Sequence, residues 1–296
     1  MTYKELLNTL DHSGIARNIT GEEMIRLKRV MLSCYKDVAA ICKKYNLQLM
    51  LGGGSCLGAV RHKGYIPWDD DFDLLMSRKD YSKFQNIFNV ELGDKYILNA
   101  PNYSENPTNR FPKILIKNTR FVEVGGINDE TDKIKIDIFI LENIPRNLFF
   151  RFIKGLKCYI YMYLSSCVDI YERRNGTLCK HLNKCEEGRS LLKRRMFIGK
   201  LFSFFSYGKW CNIVDKSCQY RKETGVLGIP TGRKHYFGEV FTQDVFFPVS
   251  KGVFERENVN LPNNSNVYLS NLYGDYMTIP PEEKREKHLI VDIAFN

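Results

Sequence analysis

Between Gly52 and Asp73 the sequence runs Gly-Gly-Gly-Ser-Cys-Leu-Gly-Ala-Val-Arg-His-Lys-Gly-Tyr-Ile-Pro-Trp-Asp-Asp-Asp-Phe-Asp. It joins a glycine cluster, a basic turn and four aspartates. Glycines let a backbone curl so that several N–H groups face an anion, which makes Gly53, Gly54 and Ser55 candidate phosphate contacts. Arg61, His62 and Lys63 on the connecting turn could neutralise phosphate charge, as could Arg110 and Lys113 further along; a solvated turn is the plain alternative. In a strand, Asp71 and Asp73 would point the same way, roughly 7 Å apart at Cα. Two carboxylates that close repel unless a proton or a cation lies between them. Mg²⁺, or Mn²⁺, suits such a pair, because it takes few carboxylates and completes its shell with substrate phosphate oxygens. Asp69 and Asp70 then support the pair, Asp70 facing away and Asp69 lying nearer the turn.

A third carboxylate comes from Asp137, the only acidic residue within the alternating run Lys133–Ile140. Buried aspartates need a cation, a salt bridge or several donors, so a neighbouring Lys or Arg is the rival explanation. A phosphate-gripping loop leading into metal-binding carboxylates is what transfer of a nucleotide-borne phosphoryl group requires. Trp68 could stack on a base or plug the core.

The elements that must hold these residues are legible locally. Thr20-Gly-Glu-Glu23 fits a capping box and opens an apolar series at Met24, Leu27, Met31, Cys34, Val38 and Ile41, which predicts a helix ending near Lys44. Leu47–Leu51 reads as a strand and Leu57–Arg61 as a short helix starting at Gly54-Ser55. Asp71–Met76 reads as a buried strand, followed by a helix from Ser77 or Asp80 to about Val90. Further strands are expected at Tyr96–Asn99, Lys113–Lys117, Phe121–Val124 and Lys133–Ile140, where Ile134, Ile136, Ile138 and Ile140 share a face. From Pro145 to about Thr224 the pattern becomes helical, aromatic and basic, and after Gly228 it becomes loop-rich.

The chain has 296 residues, 44% hydrophobic and 26% charged, as in ordinary globular proteins. Nine cysteines at irregular spacing exclude a disulfide framework. The amino terminus has no apolar core of a secretory signal, which points to the cytoplasm. The net charge of +10 is local: Glu142 to Val240 holds 19 Lys/Arg against 8 Asp/Glu. That surplus suggests an anionic partner: a polyphosphate substrate, an acidic lipid surface or nucleic acid. Leu148–Leu164 carries Arg151, Lys154 and Lys157, too many charges for a spanning helix. It could lie on a membrane surface or serve as a core helix with snorkelling lysines. Cys179, His181 and Cys185, with Cys211 and Cys218, lack standard zinc spacing.

The motifs resemble those of the LicD/fukutin-type phosphotransferases of the nucleotidyltransferase superfamily. The likeness rests on Gly53-Gly54-Ser55, Leu57-Gly58-Ala59, Arg61-His62-Lys63-Gly64 and Ile66-Pro67-Trp68 with Asp69 through Asp73. It continues at Lys135–Phe139 around Asp137, and at Tyr273–Met277, Pro280-Pro281, Arg285 and His288. It spans roughly 24–140 and 236–288. The resemblance implies an α+β fold with a nucleotidyltransferase-like mixed sheet core flanked by helices and a helical insertion. The units implied are a catalytic core at 1–141, a basic aromatic helical segment at 142–235 for acceptor or membrane contacts, and a closing segment at 236–296. It implies that Asp71, Asp73 and Asp137 are the metal carboxylates, and that Tyr273, Asp275 and Arg285 close over the site. The activity implied is transfer of phosphocholine or a related phospho-alcohol from a CDP-linked donor, CDP-choline first among them, to a sugar hydroxyl of a cell-surface glycan. The products would include CMP, and contact with the inner face of a membrane would be peripheral. Nucleotidyl transfer with pyrophosphate release is the rival chemistry, and a non-catalytic basic adaptor at a membrane or nucleic acid the rival class, although nothing resembles a known nucleic-acid-binding module.

Overall fold

A computed structural model describes residues 16–123, 131–183, 186–285 and 289–295. Helix α1 (Gly21–Lys44) starts at the capping box: the Glu23 amide donates to Thr20 Oγ1 and the Thr20 amide donates to the Glu23 carboxylate. Its apolar stripe of Leu27, Met31, Cys34, Val38 and Cys42 is buried. There follow β1 (Leu49–Leu51), α2 (Gly53–His62), β2 (Asp73–Ser77), α3 (Arg78–Leu92, capped by Ser77), β3 (Tyr96–Asn99), β4 (Lys113–Ile116), β5 (Thr119–Glu123) and β6 (Lys135–Asn143). The main sheet runs in the order β1-β2-β6-β4-β3, with β2 and β6 parallel and the other pairs antiparallel. The fold is α+β with a mixed sheet.

Strand β2 begins at Asp73, two residues later than the apolar pattern predicts. Its neighbour β1 ends at Leu51, paired with Leu74, and the chain then turns into α2, so the residues before Asp73 have no antiparallel partner there. Phe72 is instead fixed in an aromatic cluster, with ring centroids 5.2 Å from Tyr35, 5.7 Å from Tyr65 and 5.3 Å from Phe254. On β6 the expected alternation holds. Ile136, Ile138 and Ile140 are buried on one face, leaving Lys135, Asp137 and Phe139 partly exposed on the other. The register places Asp137 beside Asp73 on one side and beside Lys113 on the other.

The middle of the chain forms α4 (Leu148–Glu172), α5 (Thr177–Leu182), α6 (Glu186–Phe202) and α7 (Tyr207–Cys218). These helices carry apolar clusters of their own, one around Ile144, Cys158, Met162 and Val214 and another around Cys179, Leu182 and Leu192. The chain then rejoins the sheet. β7 (Val226–Gly228) pairs with the end of β6, α8 (His235–Gly238) follows, and β8 (Val240–Thr242) pairs with β7, making seven strands. β9 (Ser250–Phe254) and β10 (Glu257–Leu261) form a hairpin, α9 (Ser265–Tyr273) packs into the main core, and β11 (Ile290–Phe295) pairs with β5. The eight described cysteines are buried free thiols; Cys185 and the side chain of His181 lie outside the description. Among the described residues no helix is long and apolar enough to cross a membrane.

A buried ion network ties the helical segment to the sheet. Arg78 at the start of α3 donates through Nε to Glu142 of β6 at 2.9 Å and through Nη2 to Asp215 of α7 at 2.7 Å, and Asn102 donates to the second Asp215 oxygen at 2.8 Å. Removing one member of a buried network strands the other charges. Arg78→Ala is therefore expected to lower the unfolding free energy by about 3–5 kcal/mol in denaturant titration. An unchanged transition midpoint would mean that the network does not hold the two parts together.

Candidate active site

The site begins where the glycine turn meets β2. Gly52 donates its amide to the Asp73 carbonyl at 2.9 Å, Asp73 donates its own amide to Ser55 Oγ at 2.9 Å, and Gly54 donates its amide to Asp73 Oδ2 at 2.9 Å. The Asp73 carboxylate thus caps α2 from a distant strand and sits at the positive end of that helix. Gly53 donates to Tyr268 Oη at 3.1 Å. The amides of Gly53 and Gly54, expected to face phosphate, are thereby engaged by protein acceptors. Ser55 is buried and holds the Asp73 backbone; it does not line the cleft. Both glycines are required by space. A Cβ on Gly53, whose φ is +41°, would lie 2.2 Å from Asp73 Oδ2, and one on Gly54 would lie 2.7 Å from Asp69 Oδ2.

Asp71, Asp73 and Asp137 line one cleft of about 680 Å³, together with Gly53, Gly54, Arg61, Trp68, Tyr273, Asp275 and Arg285. Although Asp71 precedes the ladder, it flanks buried Phe72 on the same side as Asp73, so the alternation expected of a strand persists. Asp70 faces a separate cavity of about 150 Å³ that it shares with Lys113, Glu123 and Lys135, and that Asp71 and Asp137 also border. Lys113, a candidate phosphate contact by sequence, is buried and engages Asp137 instead, donating to Oδ2 at 3.0 Å. Asp137 Oδ1 is also 3.0 Å from that ammonium but has no hydrogen-bond partner. The Lys–Asp pairing weighed as the rival explanation for Asp137 is present, and one buried oxygen remains unsatisfied.

The other wall is cationic and is built by the closing segment. Arg61 on α2 donates to the Tyr276 carbonyl at 2.6 Å, and the Arg285 guanidinium lies 4.3 Å from the centroid of Trp68. Trp68 is partly buried, packed against the core on which this segment lies. Asp275 accepts from Thr278 Oγ1 at 2.6 Å, which shapes the turn after Gly274. His62 and Lys63 do not line the cleft. His62 accepts from Arg61 Nε at 2.9 Å, and Lys63 is the exposed residue in left-handed conformation (φ +59°) that ends α2. His288 of the closing signature lies outside the described residues.

Sequence reasoning missed several lining residues. Asp69, read as supporting, borders the cleft itself; Thr231, Arg233, His235 and Glu239 reach it from the segment between β7 and β8, and Tyr268 from α9. The signal for Glu239 was a lone acid in the apolar run Tyr236–Phe241, and for Arg233 the basic cluster Arg233-Lys234-His235. Arg233 lies 5.3 Å from the Tyr273 ring centroid.

Burial, reinforced by the Asp71, Asp137 and Asp69 charges, pushes the Asp73 carboxyl well above the ordinary aspartate value, and the Gly54 amide only partly opposes this. Burial also raises Glu239, to about 7, against the pull of the Lys234 amide. A divalent cation fits the carboxylates on two grounds: Asp137 Oδ1 has no hydrogen-bond partner, and the Asp71, Asp137 and Asp69 charges add to burial in disfavouring the ionised form of Asp73, a cost that a cation would relieve. Among the described residues no three His, Cys, Asp or Glu side chains are grouped closely enough to hold a metal ion as they stand.

Two outcomes follow. Gly53→Ala is expected to cost about 1–3 kcal/mol of stability and most of the activity, because the added carbon displaces Asp73 and strains a left-handed residue; an active variant of native stability would contradict the close approach. For Glu239 the folded-state value lies above that of an unfolded chain. Its contribution to stability is therefore fully present at acid pH and lost as pH rises from the ordinary glutamate range through about 7. The stability of the native protein relative to Glu239→Gln should fall by about 2–3 kcal/mol between about pH 4 and about pH 8. A difference that stays flat across that range would place the carboxylate in water.

Residues 46–148 match the LicD/FKTN/FKRP nucleotidyltransferase domain family. The chain is 27% identical over 261 residues to the lipopolysaccharide cholinephosphotransferase LicD of Haemophilus influenzae, covering 85% of this chain and 90% of that protein. An uncharacterized protein of Rickettsia typhi is 35% identical over 80 residues, 27% of this chain and 25% of its own length. One of Rickettsia prowazekii is 36% identical over 69 residues, 23% and 24% of the two chains. The glycine turn, Asp69–Asp73 and Asp137 all fall within the stretch that matches the LicD/FKTN/FKRP nucleotidyltransferase domain family, so the carboxylates of the cleft lie where the similarity lies.

Proposed function

We propose that the protein transfers phosphocholine, or a related phospho-alcohol, from a CDP-linked donor to a sugar hydroxyl of a cell-surface glycan in the cytoplasm, releasing CMP. One observation carries the reading: a cleft of about 680 Å³ is lined both by Asp71, Asp73 and Asp137 and by Arg61, Arg233 and Arg285. Its volume suits a nucleotide-sized ligand, and its two chemistries suit a diphosphate accompanied by a divalent cation. The similarity to a lipopolysaccharide cholinephosphotransferase supports the same class of donor and acceptor.

In this reading Asp71 and Asp73 hold Mg²⁺ or Mn²⁺, with Asp137 completing the set. The cation, when bound, neutralises donor phosphate charge as CMP leaves. Arg233 and Arg285 take up the remaining phosphate charge, and Trp68 with Arg285 forms a wall against which the base rests. Asp137, which lines the cleft, orients the acceptor hydroxyl, and the acceptor proton passes to that carboxylate or to water. The hydroxyl oxygen bonds to the alcohol-bearing phosphorus as its bond to the CMP phosphate breaks. Charge neutralised on both sides of the phosphorus is what lowers the barrier.

The test is CMP release from CDP-choline, CDP-glycerol and CDP-ribitol with Mg²⁺ and extracted glycan. One donor should turn over, and Asp71→Asn and Asp73→Asn should each reduce turnover at least about a hundredfold without lowering thermal stability, since each removes a repelling charge. Pyrophosphate released from a nucleoside triphosphate instead would establish nucleotidyl transfer. Full activity of both variants would remove the metal-site reading.

A further inference from the structure

Helix α4 carries an apolar stripe that the described residues leave largely exposed. Its inward residues Gly155, Cys158 and Met162 are buried. Its outward residues Phe149, Phe152, Ile153, Leu156 and Ile160, spaced by one, three and four, form one face. Exposure reaches 67% at Phe149 and 57% at Phe152. Phe237 of α8, itself 50% exposed, extends the patch by packing on Phe152 with ring centroids 6.1 Å apart. Exposed aromatic clusters of this kind mark interaction surfaces.

Charge selects the partner. From Asn143 to Val168 the sequence holds four cations, Arg146, Arg151, Lys154 and Lys157, and no acid. Lys154 turns inward to the carbonyls of Ser217 and Gln219, both at 2.7 Å, while Arg146 and Lys157 stay exposed. Arg221 and Lys222, just past the carbonyl that Lys154 holds, add two more exposed cations against one acid, Glu223. A second copy would bring like charges together across a two-fold contact, because both faces of such an interface are the same. An anionic lipid headgroup layer attracts the cations and accepts the aromatic side chains beneath them.

We infer that α4 and Phe237 form a docking face for an anionic bilayer, with α4 lying in the interface plane. α8 also contributes His235 to the cleft, two residues before Phe237, so docking brings one edge of the cleft to the lipid surface. That edge would admit an acceptor carried on a lipid; this last clause rests on the proposed transfer reaction, whereas the docking itself does not.

Sedimentation of the full chain with vesicles tests the docking without any turnover. Binding should be strong to phosphatidylglycerol-containing vesicles at low salt, weak to pure phosphatidylcholine, and reduced by added salt. The variant Phe149→Ser/Phe152→Ser/Ile153→Ser should bind at least about tenfold more weakly. A second variant, Arg146→Glu/Lys157→Glu, should lose at least about fivefold with the aromatic stripe intact. All five side chains are exposed or flank the stripe, so circular dichroism and melting should match the native protein. Equal binding to neutral and anionic vesicles, or native binding by both variants, would overturn the inference. So would a dimer in light scattering that the aromatic variant dissociates, since it would assign the face to self-association. Failure of CMP release, with vesicle binding intact, would strike the transfer reading alone.

Discussion

Everything in the site hangs on the closure of the glycine turn upon Asp73. One residue accepts from two amides of the turn and donates to a third group in it, so the end of β1, α2 and β2 meet at a single residue. No side chain fits between the turn and that carboxyl, because even a methyl at Gly53 would overlap its oxygen. The glycines therefore act less as an open cradle than as a gap through which a helix amino terminus reaches an acid. The parallel pairing of β2 with β6 then brings Asp137 alongside without any further device.

That closure makes the site electrostatically unbalanced, and the rest of the fold answers the imbalance from several directions. Lys113 arrives on β4 and meets one oxygen of Asp137, and the amino end of α2 opposes the charge of Asp73. Arginines from α2, from the segment between β7 and β8, and from the closing segment line the same cleft. Of these only Arg61 lies near the aspartates in sequence; the others are too distant to be placed by local structure. The sheet and the packing of α9 into the core put them there.

What sequence reading recovered tracks how local each signal is. The capping box at Thr20 and Glu23, the Ser77 cap and the alternation of Ile136, Ile138 and Ile140 each depend on residues a few positions apart, and they stand as expected. The start of β2 was misplaced because it depends on where β1 stops. Ser55, His62 and Lys63 were read as phosphate contacts because their types suit it, yet Ser55 serves the Asp73 backbone and the other two lie off the cleft. Lys113 was assigned to substrate for the same reason. Its partner lies across a strand pairing that only the three-dimensional register reveals. Arg233, Glu239 and Tyr268 carried too little local pattern to be linked to aspartates far earlier in the chain.

The closing segment has a consequence for the making of the protein. Arg61 leaves its tie to the Tyr276 carbonyl unmade, and Trp68 stays uncovered by Arg285, until residues past 285 have left the ribosome. Until then the nascent chain holds its aspartates together without Arg285, which lines the same cleft. A chain halted before the segment between β7 and β8 would keep Asp71, Asp73 and Asp137 but lack Arg233 and Arg285. Most of the cationic side of the cleft is thus assembled from residues made well after the carboxylates.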